Sequence, residues 1–291
     1  MSFTEKALKY SKFILPEYFI ITILSVVAFS LILVGTFTIT EIIRPILVVS
    51  LTMIGLNSVN NLSDVDIDRI NKPERPLVTG KMKRKNAARL GVAAFIVGLL
   101  IAASINLVAA MLATVAIIAA VTYSVKPFRF KRVLLGPNII GAFIYAIFPY
   151  LLVWNEVGGE LSIIFILFFG GLIFSMAPIK DIEDLKGIKR FGIKSIASLI
   201  GVKKTMGLVI CLLFFLNLAM LVLELMGAIG LKFAYATIIS FLLIFSLACY
   251  YLTTLRKIYN ERVVTQSIVV TATMITIVLI ELIYGLTNIF F

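Results

Sequence analysis

Residues 90–121 read LGVAAFIVGLLIAASINLVAAMLATVAIIAAV, a run of 32 residues without a charged side chain. About 20 apolar residues suffice for a helix to cross a bilayer, so the run predicts two membrane helices. The rest of the chain has the same character. Of its 291 residues 61% are hydrophobic and 14% are charged, whereas soluble domains carry about 25% charged residues. The sequence therefore predicts an all-α membrane protein.

Nine apolar runs are each long enough for one membrane helix. They lie at about 15–36, 41–62, 87–105, 107–124, 136–154, 161–178, 205–226, 230–253 and 264–289. An odd number of helices places the two chain ends on opposite sides of the membrane. We expect one integral-membrane domain over residues 1–291, built of two four-helix halves plus a ninth helix.

The basic residues predict the orientation of these helices. Of the 27 Lys and Arg residues, 25 fall in the N-terminal segment and in the stretches 63–89, 125–135, 179–204 and 254–263, and only Arg44 and Lys232 fall on the other side. Cytoplasmic loops carry an excess of Lys and Arg. We therefore expect a multi-pass protein of the cytoplasmic membrane with a cytoplasmic N-terminus. The net charge of +12 is explained by topology and does not indicate a nucleic-acid partner.

The residue types that are rare here exclude several kinds of site. The chain has no histidine, so His-ligated metal sites and imidazole general bases are excluded. Its two cysteines, Cys211 and Cys249, lie within apolar runs and do not form a disulfide framework or a zinc spacing. Any chemistry must use carboxylates, amides, hydroxyls and cations.

The first acidic cluster follows the second predicted helix. If that helix continues to residue 70, Asn60, Asp64 and Asp68 stand on one face at i, i+4 and i+8. Carboxylates at this spacing repel one another unless a cation neutralises them. Hard oxygen ligands suit Mg²⁺, which commonly joins one or two carboxylates to substrate phosphates.

A second acidic cluster follows the sixth predicted helix. Asp181 and Asp184 stand at i and i+3, and Asp184 is 120 residues from Asp64. Two such clusters could each hold one Mg²⁺ and bind a diphosphate between them. We expect the four aspartates to be catalytic. Nearby cations are candidates for the diphosphate oxygens, although topology alone also accounts for each of them: Lys72, Arg75, Lys126, Arg129 and Lys180.

The two clusters resemble the motifs of the UbiA superfamily of intramembrane prenyltransferases. Members carry Asn-Asp-x-x-Asp-x-x-x-Asp after the second helix and Asp-x-x-Asp after the sixth, in a bundle of nine helices. This chain has Asn60-Asn61-x-x-Asp64-x-x-x-Asp68 and Asp181-x-x-Asp184. Two positions depart from the pattern. Asn61 replaces an aspartate and remains a candidate metal ligand with Asn60, whereas Ile188 replaces an acidic residue and cannot ligate.

The resemblance implies a Mg²⁺-dependent transfer of a polyprenyl group, with geranylgeranyl as the first candidate, from its diphosphate to a lipophilic acceptor, releasing pyrophosphate. Two Mg²⁺ ions and a site facing the cytoplasm are expected, with the loops 63–86 and 179–204 as a cap. Tyr123, Asn138 and Lys12 are weaker candidates for substrate binding. Membrane lipids are the other expected contacts, and no obligate protein partner is evident.

The acceptor stays open at this point. The character of the sequence, rich in Ile and Lys, resembles archaeal members that act on geranylgeranylglyceryl phosphate in ether-lipid synthesis. The stretch Tyr123–Arg132 is instead similar to branches that prenylate aromatic quinone precursors or tetrapyrroles. A transporter or lipid-binding protein is a different class, but transporters place ionisable residues near the bilayer midplane. For Glu281, inside the ninth run, we expect snorkelling or helix pairing.

Overall fold

The computed structural model describes residues 16–258 and 264–290, and only the backbone of residues 16–19, 183, 254–258 and 264–270. The described residues form helices and loops without strands, which confirms the all-α prediction. Lys12 lies outside the described residues.

Twelve helices make up the described chain. In order they are α1 (Pro16–Val34), α2 (Ile39–Ser63), α3 (Val65–Asn71), α4 (Arg84–Ile105), α5 (Leu107–Ser124), α6 (Gly136–Val157), α7 (Ile163–Glu183), α8 (Leu185–Arg190), α9 (Ile196–Ile200), α10 (Val202–Leu225), α11 (Phe233–Ile258) and α12 (Val264–Phe290). Eight of them are long and apolar enough to cross a membrane, and α1 contributes a shorter apolar helix over Ile20–Val34. The multi-span prediction is confirmed, while the count of nine stays a prediction.

The short helices α3, α8 and α9 lie in the stretches that the sequence predicts as cap loops. A 3₁₀ turn at Phe130–Arg132 also precedes α6. The predicted continuation of the second helix to residue 70 covers nearly all of α3. The helices α8 and α9 and the 3₁₀ turn were not predicted, because such short elements show no apolar period. The short helices matter because α3 carries Asp68, the last aspartate of the first motif, and α8 begins directly after Asp184 of the second.

Small residues bring the membrane helices close together. A Cβ atom on Gly91 of α4 would lie 2.7 Å from the Cβ atom of Ser58 on α2, and one on Gly55 would overlap the ring of Phe95. Lipid cannot drive helices together as water does, so such close contacts supply much of the association. The opposite faces of α4 and α5 expose Val92, Ile96 and other apolar side chains, as expected for surfaces in contact with lipid.

The two ends of the bundle differ in charge. Side-chain contacts join the end of α2 to the segment before α6 and the end of α3 to the end of α7, so the basic and acidic residues of these loops share one end. We call it the cation-rich end. At the other end, Arg44 pairs with Glu156, and Lys232 donates to Asn288 at 2.6 Å. Arg44 is thus neutralised by a carboxylate, whereas Lys232 is held by a neutral amide.

Candidate active site

Asp64 lies at a one-residue break between α2 and α3. Its backbone angles are φ −108° and ψ 9°, outside the helical region. The hydrogen-bond pattern nevertheless runs through the break, because Asp64 N donates to Asn60 O at 3.0 Å and Asp68 N donates to Asp64 O at 2.8 Å. The predicted continuation of the helix is therefore nearly correct, with a bend at the acidic residue.

Asp184 lies at a corresponding break between α7 and α8. Its angles are φ −93° and ψ 7°, and Ile188 N donates to Asp184 O at 3.0 Å. Both breaks leave a carboxylate at the end of a membrane helix. The two motifs therefore present their carboxylates in the same local backbone setting.

A large cavity joins the two motifs. Its empty space, counted with its open mouth, is about 1510 Å³. At the cation-rich end its lining is polar, and further along the helices it becomes mainly apolar. The polar lining includes Asn57, Asn60, Asp64, Tyr123, Lys131, Arg132, Lys180, Asp181, Asp184 and Ser195. The apolar lining includes Leu56, Ile140, Gly141, Ile144, Ile173, Met176, Ala177, Ile277 and Val278.

Lys131 is the described cation that lies closest to Asp64. Its Nζ atom lies 2.7 Å from Asp64 Oδ1, 3.0 Å from Asn60 Oδ1 and 2.6 Å from Ser63 Oγ. Burial lowers the pKa of Lys131 to about 8, although Asp64 opposes this shift. The sequence reasoning did not select Lys131, because it assigned the neighbouring Lys126 and Arg129 instead.

Asp68 does not line the cavity with Asp64. Arg75 Nη1 donates to Asp68 Oδ2 at 2.8 Å and to Asn61 Oδ1 at 2.7 Å. Burial raises the pKa of Asp68, and the Arg75 charge partly offsets the shift. The three expected ligands therefore do not converge. Asn60 and Asp64 line the cavity, whereas the bend at Asp64 and the guanidinium of Arg75 hold Asp68 with Asn61 in a separate cluster.

Lys72 extends from the first motif to the second. Its Nζ atom lies 3.1 Å from Asp184 Oδ1. Asn71, the preceding residue, donates from Nδ2 to Asp184 O at 3.0 Å. Lys180 and Asp181 line the cavity beside Asp184. The second motif is therefore assembled with residues of both halves.

Of the other predicted substrate-binding residues that are described, one lines the cavity and three lie outside it. Tyr123 lines the cavity. Arg129 lies outside it, donates to Ser63 O at 2.8 Å and approaches Asp64 Oδ1 at 3.8 Å. Lys126 is exposed and does not line it. Asn138 is buried and donates to Phe174 O at 2.7 Å, so it joins α6 to α7.

Glu281 lines the cavity far from the acidic motifs. It is 1% exposed, and its Oε2 atom accepts a hydrogen bond from Ser25 Oγ at 2.6 Å. The contact pairs α12 with α1, as one of the two expected roles requires. Snorkelling, the other expected role, does not occur, because the side chain is buried within the bundle.

The side-chain oxygen atoms at the cavity mouth suit a Mg²⁺ ion that the protein binds together with substrate phosphates. Among the described residues, no three acidic, cysteine or histidine side chains come together as a metal site. Mg²⁺ does not need such a cage, because it keeps waters and binds one or two carboxylates together with substrate phosphates. Asp64 with Asn60, and Asp184 with Asp181, supply donor sets of this kind.

Comparison with known proteins identifies the family. The model of the UbiA prenyltransferase family matches residues 19–286. Digeranylgeranylglyceryl phosphate synthase of Sulfolobus acidocaldarius is 34% identical over 165 residues, 55% of this chain and 58% of that protein. The Thermococcus kodakarensis synthase is 35% identical over 161 residues, 54% and 56% of the two chains. The chain thus spans under three fifths of these relatives.

A plant enzyme and two solved structures are also similar. The 2-acylphloroglucinol 4-prenyltransferase of Humulus lupulus is 29% identical over 160 residues, 50% of this chain and 37% of that protein. A UbiA homologue from Archaeoglobus fulgidus bound to DMAPP and Mg²⁺ has a TM-score of 0.74 at 19% identity, covering 97% of this chain and 99% of that one. A digeranylgeranylglyceryl phosphate synthase structure has a TM-score of 0.65 at 23% identity, covering 98% and 99%. These likenesses show a shared fold.

Proposed function

The chain belongs to the UbiA prenyltransferase family, and we propose that it transfers a prenyl group, geranylgeranyl as the first candidate, from its diphosphate to a lipophilic acceptor. The observation that carries this proposal is that one cavity has Asp64 and Asp184 at its mouth and an apolar lining beyond them. In the reaction the allylic C–O bond breaks, its electron pair leaves with pyrophosphate, and the acceptor forms the new bond and loses a proton.

The diphosphate binds at the cation-rich end. Lys131, Arg132 and Lys180 line the cavity there, and Lys72 reaches Asp184 at its edge. Cations that face developing negative charge on a leaving group stabilise the transition state. Charge-assisted contacts to phosphate oxygens are also stronger than neutral ones. These side chains therefore orient the diphosphate and favour its departure.

Asp64 with Asn60, and Asp184 with Asp181, would hold Mg²⁺, two ions in all. When bound, Mg²⁺ supplies neutralisation of the diphosphate charge. The A. fulgidus homologue bound to DMAPP and Mg²⁺ supports Mg²⁺ as the metal. Asp68 and Asn61 are not part of these donor sets, because Arg75 binds both of them outside the cavity.

The prenyl chain occupies the apolar part of the cavity. The lining runs from Asp64 to Leu56 along α2, a length of about 12 Å at the helical rise. Each CH₂ group that leaves water contributes about 0.8 kcal/mol. The same apolar lining keeps water from the reactive carbon, which would otherwise be hydrolysed.

Geranylgeranylglyceryl phosphate is the first acceptor candidate. The S. acidocaldarius and T. kodakarensis synthases support it. The plant relative, a 2-acylphloroglucinol prenyltransferase, supports an aromatic acceptor as the second candidate. The two differ in charge, since the first carries a phosphate and the second does not.

An acceptor panel tests the function. Purified protein with Mg²⁺ and radiolabelled geranylgeranyl diphosphate is given geranylgeranylglyceryl phosphate, 4-hydroxybenzoate, a naphthoate or a chlorophyllide. We expect a labelled product and equimolar pyrophosphate with the first acceptor. Product with an aromatic acceptor alone would favour the second candidate. Absence of product with every acceptor, in every lipid mixture tried, would contradict the proposed function.

We place the active site at the cytoplasmic face of the cell membrane, because the cation-rich end carries the basic loops. Single-cysteine variants test this orientation after Cys211 and Cys249 are replaced by serine. Lys189→Cys should react with a membrane-impermeant maleimide only from the cytoplasmic side, and Gly158→Cys only from the other side. The reverse pattern would contradict the orientation.

A further inference from the structure

The short helices α3 and α8 form one side of the cavity mouth. Ile67 of α3 and Ile188 of α8 both line the cavity, and Ile188 is 7% exposed. Helix α3 carries the last aspartate of the first motif and α8 directly follows the second motif, so this wall is built jointly by the two halves of the chain. Ile188 cannot ligate a metal, but it covers the cavity with hydrocarbon.

Asn71 connects the two halves of this wall. Its Nδ2 atom donates to Asp184 O at 3.0 Å and lies 3.5 Å from Asp184 Oδ1. Its Oδ1 atom accepts from Gly187 N at 2.9 Å. One amide therefore binds both the break residue of the second motif and the first turn of α8. Lys72 Nζ adds a contact of 3.1 Å to the same aspartate.

Gly187 makes this approach sterically possible. A Cβ atom at position 187 would lie 2.6 Å from Asn71 Nδ2 and 2.9 Å from Ile67 Cγ2. Such distances are well below van der Waals contact, so any larger residue would displace the Asn71 amide or force α3 and α8 apart. Gly187 is buried. The Asn71 amide thus occupies the space that a side chain at position 187 would take.

We propose that Asn71 is a positioning residue that holds α3 against α8 and thereby keeps water from the reacting carbon; this inference rests on the proposed function. Separation of the two helices would open the mouth beside Asp184. Water would then compete with the acceptor: its oxygen bonds to the allylic carbon, a proton goes to solvent, and the product is the free prenyl alcohol with pyrophosphate.

The test is the partition between hydrolysis and transfer. Asn71→Ala and Gly187→Ala are compared with the wild-type protein and with Asn86→Ala, an exposed asparagine on α4. With geranylgeranyl diphosphate, Mg²⁺ and geranylgeranylglyceryl phosphate, we measure prenyl alcohol against transfer product. The ratio is insensitive to the fraction of folded protein, since both products come from the same active molecules.

We expect the ratio to rise about fivefold in Asn71→Ala and in Gly187→Ala, the order of effect of losing one hydrogen bond, and to stay at the wild-type value in Asn86→Ala. In the Asn71→Ala background, Gly187→Ala should add much less than it does alone, because neighbouring residues that act together are not additive.

An unchanged ratio in Asn71→Ala and Gly187→Ala, with wild-type protein active in transfer, would overturn this inference and leave the proposed function intact. Loss of both products in both variants would also overturn it, because the residues would then act on ionisation. Failure of the wild-type protein to transfer to any acceptor would instead count against the proposed function.

Discussion

Asp64 and Asp184 occupy corresponding positions in the two halves of the chain. Each is the single residue between a membrane helix and a short helix, with ψ of 9° and 7° respectively, and both line one cavity. The two motifs thus end a membrane helix in the same way in two separate parts of the chain. Because each carboxylate faces the cavity from its own motif, we expect both to be required.

Replacement of either aspartate by asparagine should abolish activity. Asp64→Asn and Asp184→Asn retain the shape of the side chain but remove one negative charge from a proposed metal site. We expect pyrophosphate release to fall about 100-fold or more, the scale of losing a main electrostatic contribution. The measurement is release with Mg²⁺, geranylgeranyl diphosphate and acceptor.

Asp66→Asn is the matched control for this prediction. Asp66 is exposed and pairs with Arg69 at 3.2 Å, outside the cavity. Its variant should retain activity within about twofold, as surface substitutions usually do. Full activity in Asp64→Asn or Asp184→Asn would rule out the metal-binding role.

Lys131 should matter more than Lys126 although both lie in one basic stretch. Lys131→Met removes a cation from the cavity and leaves Asp64, Asn60 and Ser63 without it. We expect kcat/KM for the prenyl diphosphate to fall about 10- to 100-fold, the range for hydrogen bonds to charged groups. Lys126→Met, at an exposed position, should stay within about twofold. Equal losses in the two variants would contradict this assignment.

The membrane helices and the acidic motifs could be predicted because both signals are local in the sequence. An apolar run long enough to span a bilayer has few alternatives to a helix. The spacing of Asn60 and Asp64 on one face also follows from helical geometry alone. These features therefore agree between the sequence and the structure.

Which basic residues reach the cavity and which bind elsewhere could not be predicted, because this depends on where the chain turns back. Lys131 reaches the cavity through the 3₁₀ turn Phe130–Arg132, which follows Arg129 in a left-handed conformation with φ 47°. Arg75 turns back onto Asp68 through the irregular segment after α3. No periodic pattern in the sequence specifies either turn.

Gly136 should be required for the turn that carries Lys131. A Cβ atom there would lie 1.9 Å from the backbone oxygen of Phe130, so Gly136→Ala must move the backbone. We expect it to lower the free energy of unfolding by about 1–3 kcal/mol, as overpacking does. Prenyl transfer should fall as well, because Lys131 moves with the turn. Thermal unfolding in detergent measures the first effect.

Gly207→Ala provides the comparison for Gly136→Ala. Gly207 lies within α10, and a Cβ atom there meets nothing within 4 Å. Alanine is favoured over glycine in a helix by about 0.5–1 kcal/mol, so stability should be unchanged or slightly higher. A loss of stability in Gly207→Ala equal to that in Gly136→Ala would show that the steric argument is wrong.

Glu281 and Ser25 lie at the deep end of the cavity. On α1 and on α12 they are the lining residues farthest along each helix toward the end where Asn288 binds Leu31 O. The buried pair therefore limits the space available to a prenyl chain. Glu281→Ala should extend this space, whereas Glu281→Gln preserves the volume and the acceptor for Ser25.

We expect Glu281→Ala to raise the ratio of kcat/KM for geranylgeranyl diphosphate to that for geranyl diphosphate by about fourfold. This is the effect of burying one further CH₂ group, about 0.8 kcal/mol. Glu281→Gln should keep the wild-type ratio. The ratio compares two substrates on the same protein, so partial unfolding does not change it. An equal ratio in all three proteins would mean that the end of the prenyl chain lies elsewhere. If Glu281 and Ser25 limit the cavity, the ratio must change with the volume of the side chain at position 281.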